Sequence, residues 1–336
     1  MELPVGAVTQ ALPQDALSAL GGLSPLETEP ETGLARLWSF VLEHLNGVIA
    51  ELLRPAGAVL AVALLCAAGG QFGAQRGGLD YVSFGGALAV AAAALSDVQS
   101  VAGMGGDTIR AMCDYSHTLL PAITTAAAGT GAVTSAAAKY AAAALFSDVL
   151  LTAAQDLLLP LIFAYAATET AGAALGTRQL AGASRLLKWS ASTAMKGLVL
   201  SFTAYLGLSG VLSGAADAAA VKTAKAVLGA ALPVVGKTIS DAADAMVAGA
   251  EAVKTAMGVF GMLAVTATAA LPVLRLLLRY LLYKAMAAVA GVLAGERIGA
   301  LIEAIGSAYG LLLGLVGTAA AIFYLALVSL LRTVTG

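Results

Sequence analysis

Long apolar runs, each bounded by a charged residue, set the pattern of this chain. Uncharged stretches cover 55–75, 118–138, 197–216, 255–274 and 304–331. A helix rises about 1.5 Å per residue, so about 20 apolar residues cross a hydrocarbon core of about 30 Å. A shorter run, 81–96, reaches that length if Asp80 and Asp97 sit in the interfaces. The stretch from Lys139 to Gly176 holds Asp148 and Asp156, then the strongly apolar Leu157 to Ala167. It reads as one tilted helix, a hairpin, or a helix broken at Pro160. The pattern predicts an all-α, polytopic helical integral membrane protein. It has about seven transmembrane helices plus amphipathic surface or re-entrant helices.

Three segments depart from the apolar pattern. Residues 1–33 carry Pro4, Pro13, Pro25 and Pro30 with Glu27, Glu29 and Glu31, and read as a flexible acidic arm. Over 34–54, Leu34, Leu37, Trp38, Val41, Leu45, Val48, Ile49 and Leu52 recur at three and four residues, with Glu43, His44 and Glu51 off that stripe. This predicts an amphipathic helix on the membrane surface, on a partner, or against the core of its own chain. Residues 55–336 then form a single helical transmembrane domain, interrupted by an amphipathic loop at 217–254. In that loop Lys222 and Lys225 precede an apolar run broken by Pro233 and Gly236. Next, Lys237, Asp241, Asp244 and Glu251 share one helical face, and Lys237 and Asp241 are four apart, the spacing of a pairable couple. The face suits solvent, an interaction surface or a pore lining.

Composition strengthens the membrane reading. Hydrophobic residues make up 60% of the chain and charged residues only 11%, against roughly 25% in soluble domains. Small residues are abundant, with 38 glycines. Gly306, Gly310 and Gly314 form consecutive GxxxG steps, a spacing that favours close helix packing. The net charge of −2 offers no basic field for nucleic acid. Cys66 and Cys113 read as inert thiols, and His44 and His117 lack metal-ligand spacing. No phosphate loop, nucleophile elbow or dinucleotide fingerprint is present, so neither an enzyme nor a cofactor is expected. Lys139, Asp148, Asp156 and Glu169, near apolar runs, remain as ionisable candidates; the interface is the plain reading of each.

Basic residues orient the spans. Arg178, Arg185, Lys188 and Lys196 form the densest group, and Arg275, Arg279 and Lys284 a second. Placing both in the cytoplasm puts 217–254, the acidic arm and a loop from Asp97 to Asp114 outside. The N-terminus is then extracytoplasmic, and an even number of crossings is required between Lys139 and Arg178.

One segment carries a resemblance. Val221-Lys-Thr-Ala-Lys225, then Leu232-Pro-Val-Val-Gly-Lys237, then Ser240-Asp-Ala-Ala-Asp244 resembles the signature loop of the stage III sporulation protein AE family. Leu120-Pro-Ala-Ile and Ala270-Leu-Pro-Val-Leu274 fit it more generically. The resemblance implies a membrane subunit of the sporulation stage III A channel, or feeding-tube, complex between mother cell and forespore. It implies a place in the mother-cell-derived membrane around the forespore. Implied partners are the bilayer, the other operon products (an ATPase and ring-forming subunits among them), and indirectly the forespore stage II Q protein. Self-association is compatible with it. A stand-alone small-solute permease is the alternative that broken helices at Pro160 and Pro233 would suit.

Overall fold

The computed structural model describes residues 5–26, 29–73, 81–129, 133–175, 179–231 and 236–331, with side chains left undescribed mainly over 66–84 and 209–247. Every regular element among them is helical. Two short helices, α1 (Val5–Gln10) and α2 (Gln14–Leu20), precede α3 (Pro30–Gly73) and α4 (Tyr81–Gly129). Then come α5 (Val133–Thr152), a π-helical turn (Ala153–Leu158) and α6 (Leu159–Leu175). The chain ends with α7 (Ala181–Ala231), α8 (Gly236–Leu293) and α9 (Glu296–Leu331). At about 1.5 Å per residue α8 is about 87 Å long, well beyond a bilayer's thickness.

The α8–α9 hairpin is the spine. It turns at Gly295, whose φ of +91° favours a residue without Cβ. Just past the turn the two backbones touch: a Cβ on Gly299 would lie 2.6 Å from Gly291 Cα and 3.2 Å from Ala287 O. Farther along, Gly306 faces Tyr283 and Gly310 faces the Tyr280 ring. Near the far end the Thr266 and Tyr324 hydroxyls hydrogen-bond across the pair, and Tyr324 Oη also reaches Met262 O at 3.3 Å. Around this spine pack α3, α4, α6 and α7, with α5 against α4 and α7. Tyr324→Phe removes the cross-helix hydroxyl and leaves the ring. It should lower the unfolding free energy by about 0.6 kcal/mol, the usual scale of such bonds inside helical membrane proteins, as read by denaturant titration in detergent.

Among the described residues, five helices are long and apolar enough to cross a membrane: Pro30–Leu65, Leu88–Gly129, Ala136–Leu175, Ala248–Leu293 and Glu296–Leu331. The described side chains of α7 end at Leu208, so the last eight residues of the run 197–216 lie outside them. Seven was the expectation, and two of its premises are corrected. The loop expected from Asp97 to Asp114 is the middle of α4, with Val98, Val101, Ile109 and Met112 buried and Asp107, Arg110 and Asp114 exposed. The runs on either side of it belong to one rod. Likewise 139–175 contains no reversal. Pro160 has no N–H for the carbonyl four residues back, and the chain passes it through the π turn, where Leu159 N–H bonds Ala154 O.

The N-terminal segments also differ from expectation. Residues 5–26 are folded, with Val8, Leu12, Ala16, Ala19 and Leu20 buried in the common core. Arg36 closes the end of α2 by donating to Leu20 O at 3.1 Å and Gly21 O at 2.8 Å. Helices of six and seven residues are too short to show a period, which hid this packing from sequence reading. The boundary at residue 54 is not an end either, because α3 continues through Pro55. Its apolar residues divide between two faces. Leu37, Phe40, Val48 and Leu52 are buried, while Leu34, Trp38, Ile49 and Leu53 face outward.

Candidate functional site: a charged cluster joining four helices

An isolated charge inside an apolar bundle is costly, so such charges meet opposite charges or water. Arg279 on α8 shows how this chain meets that demand. Its side chain is 6% exposed, and it lies five residues beyond the apolar run 255–274, among residues of three other helices. Its Nε is 3.6 Å from Asp97 Oδ2 on α4, and its Nη2 is 3.4 Å from Glu51 Oε1 on α3. Arg275, one turn earlier, places Nε 3.5 Å from Glu51 Oε2. Tyr309 on α9 donates its hydroxyl to Asp97 Oδ2, and its ring stands edge-on to Tyr283 with centroids 5.1 Å apart.

The cluster is neutral, with two guanidinium groups and two carboxylates. Exposure is graded along it, from 6% at Arg279 through 18% at Asp97 and 33% at Arg275 to 49% at Glu51. Solvent or headgroups therefore reach one side only. The planar fork of Arg279 suits two carboxylates at once, which a lysine would serve poorly. The arrangement fixes the register of α3, α4, α8 and α9 and holds balanced charge inside the bundle.

Other ionisable groups are paired individually. Lys139 on α5 is 7% exposed and donates to Ser329 O at 2.8 Å, in the last turn of α9, where helix carbonyls attract a cation. Lys254 is fully buried and meets Glu251 at 2.8 Å. His117 Nε2 lies 3.4 Å from Asp148, and Glu169 accepts from Ser184 Oγ at 2.6 Å. Asp156 is exposed within the π turn. Lys284 reaches both Glu303 and Ser307. Among the described residues no group of three His, Cys, Asp or Glu could hold a metal ion.

A family model described as Stage III sporulation protein AE matches residues 58–333. The chain belongs to this family. It is also similar to Stage III sporulation protein AE of Bacillus subtilis (strain 168), at 24% identity over 189 residues. That alignment covers 56% of this chain and 47% of the relative, so the chain spans about half the length of the curated relative it matches. No solved structure matches. The family match runs from within α3 to past the end of α9. It includes Asp97, Arg275, Arg279 and Tyr309 of the cluster, while Glu51 lies just ahead of it.

Of the expected loop at 217–254, residues 217–231 lie in α7 and 236–254 in α8. Lys222 and Lys225 fall in α7, and Gly236, Lys237, Asp241 and Asp244 in the start of α8; the side chains of all six lie outside those described. Pro233 lies outside the described residues. Glu251 is placed against Lys254, far from the Arg279 cluster in sequence. Of the packing glycines, Gly306 and Gly310 meet α8, and Gly314 lies 3.7 Å from Met195 of α7. Sequence reading missed the cluster, because Asp97 and Arg275 were taken as span ends, Arg279 as part of a basic orientation group and Glu51 as the polar side of an amphipathic helix. The available signal was chemical: two arginines and two acids beside apolar runs, which need one another there.

Proposed function

We propose that this chain is a non-enzymatic, multi-pass membrane subunit of the channel complex that joins mother cell and forespore during endospore development. The observation that carries the reading is the family match across 58–333, which takes in nearly the whole apolar bundle. Family membership suggests a role in sporulation, and the long apolar helices fit a membrane protein. The sequence has no nucleotide-binding motif, so energy would come from a partner such as the ATPase of the same operon.

The helix lengths support a topology. If α3, α4, the α5–α6 rod, α7, α8 and α9 each cross once, the connections at 74–80, 176–180 and 294–295 share one side. Arg76, Arg178, Arg185, Lys188 and Arg297 lie at or near them in sequence, which supports a cytoplasmic placement of that side. The N-terminus and the α7–α8 hairpin then lie outside. Residues 236–254 precede the apolar run and extend α8 by about 28 Å. This hairpin is the part that would reach ring-forming subunits in the intermembrane space. Deleting the gene in the spore-forming host should leave engulfed forespores that fail to mature, and restoring the full chain should rescue them. Normal spore yield in the deletion strain would overturn the reading.

A further inference from the structure

Between α7 and α9 a groove of about 570 Å³ opens sideways. Its walls include Met195, Val199, Leu200, Leu311 and Gly314. Two hydroxyls in the wall are turned to their own helices: Thr203 Oγ1 bonds Val199 O at 2.7 Å, and Thr318 Oγ1 bonds Gly314 O at 2.8 Å. Apart from Ser192 and Lys196, the lining is therefore apolar in effect. Lys196 is also part of the wall, and among the described residues it has no ion-pair or hydrogen-bonding partner. Lys188 and Arg185 precede it on the same helical face, by the three- and four-residue spacing 185, 188, 192, 196. Next to them Trp189 is 63% exposed, as an aromatic anchor at headgroup level would be.

We propose that this groove is a binding site for an anionic phospholipid of the bilayer, with an acyl chain along α7 and α9 and the phosphate at Lys196. Size argues against a partner helix as the occupant. A helix about 10 Å across rises about 5.4 Å per turn, so this volume accommodates little more than one turn of one. A single acyl chain is narrow enough to lie along it. Charge sets the headgroup class: the basic end of α7 carries Arg185, Lys188 and Lys196, and no acidic residue lines the groove. In the orientation proposed above, this end of α7 faces the cytoplasmic leaflet, where anionic lipids supply the counter-charge. The site itself depends on groove and charge, and not on any role in sporulation.

The test uses the full chain, purified in mild detergent with a mixture of phosphatidylglycerol and phosphatidylcholine, and weighed with its retained lipid by native mass spectrometry. The parent should retain phosphatidylglycerol in preference to phosphatidylcholine. Lys196→Gln should weaken that retention about fivefold, the weight of one basic residue near an anionic surface. Thr203→Trp, which fills the groove without changing charge, should weaken it as well. Arg54→Gln, an equal change of charge on the exposed face of α3, should leave it as in the parent. Circular dichroism and gel filtration select folded variants, and either groove variant alone suffices. Equal retention by parent and both groove variants would overturn the proposal. So would equal retention of the two lipids, displacement by inorganic phosphate alone, or cross-linking of a second copy into the groove.

Discussion

Arg279→Ala is expected to destabilise the bundle by about 3–5 kcal/mol, the usual cost of removing one partner from a buried ion pair. Asp97, 18% exposed, would be left with the Tyr309 hydroxyl as its partner among the described residues. Glu51, nearer the surface, would still reach Arg275 and suffer less. The asymmetry gives the experiment its control. Removing both charges with Asp97→Leu and Arg279→Met should cost less than Arg279→Ala alone, because no charge is then stranded. Reversible unfolding in mixed micelles reads both variants. Equal losses for the single and the double variant would mean that packing, and not charge pairing, dominates at this site.

Gly299→Ala should be the next most damaging substitution, at about 1–3 kcal/mol, the range for forcing extra volume into a close-packed interior. The added methyl would meet Gly291 Cα at 2.6 Å and Gly291 N at 3.0 Å, and backbone atoms cannot swing aside as a side chain can. Gly291→Ala is the informative partner. Its Cβ would stand 3.9 Å from Gly299 Cα, an ordinary contact. That variant should stay within about 1 kcal/mol of the parent, with the helical gain of alanine offsetting small strain. Thermal unfolding of the two variants side by side tests the one-sidedness of the α8–α9 contact.

The helical class and the membrane-length runs were legible because they depend on local composition. About 20 uncharged residues announce themselves wherever they fold. The rods themselves were not legible. Treating each charge as a span end split α4 at Asp97, although the charges of 97–114 alternate with Val98, Val101 and Ile109, which are buried. The π turn before Pro160 hid the continuity of α5 and α6 in a similar way. The cluster was least legible, because its members meet over long separations: 212 residues from Asp97 to Tyr309 and 228 from Glu51 to Arg279. Periodicity within a helix cannot report contacts between helices so far apart in sequence. The same packing alters the orientation argument, since Arg279 is held by the bundle and says little about which side is cytoplasmic.

Arg279 ties the stability of the bundle to the proposed role in sporulation, so one substitution tests both. The most direct measurement replaces the chromosomal gene with Arg279→Gln, then quantifies the detergent-extracted membrane protein and heat-resistant spores in one culture. Loss of the membrane protein together with loss of spores, both regained when Asp97→Leu and Arg279→Met are introduced together, is the expected result. Full levels of Arg279→Gln protein in the membrane with normal spore yield would mean that the bundle does not depend on the cluster.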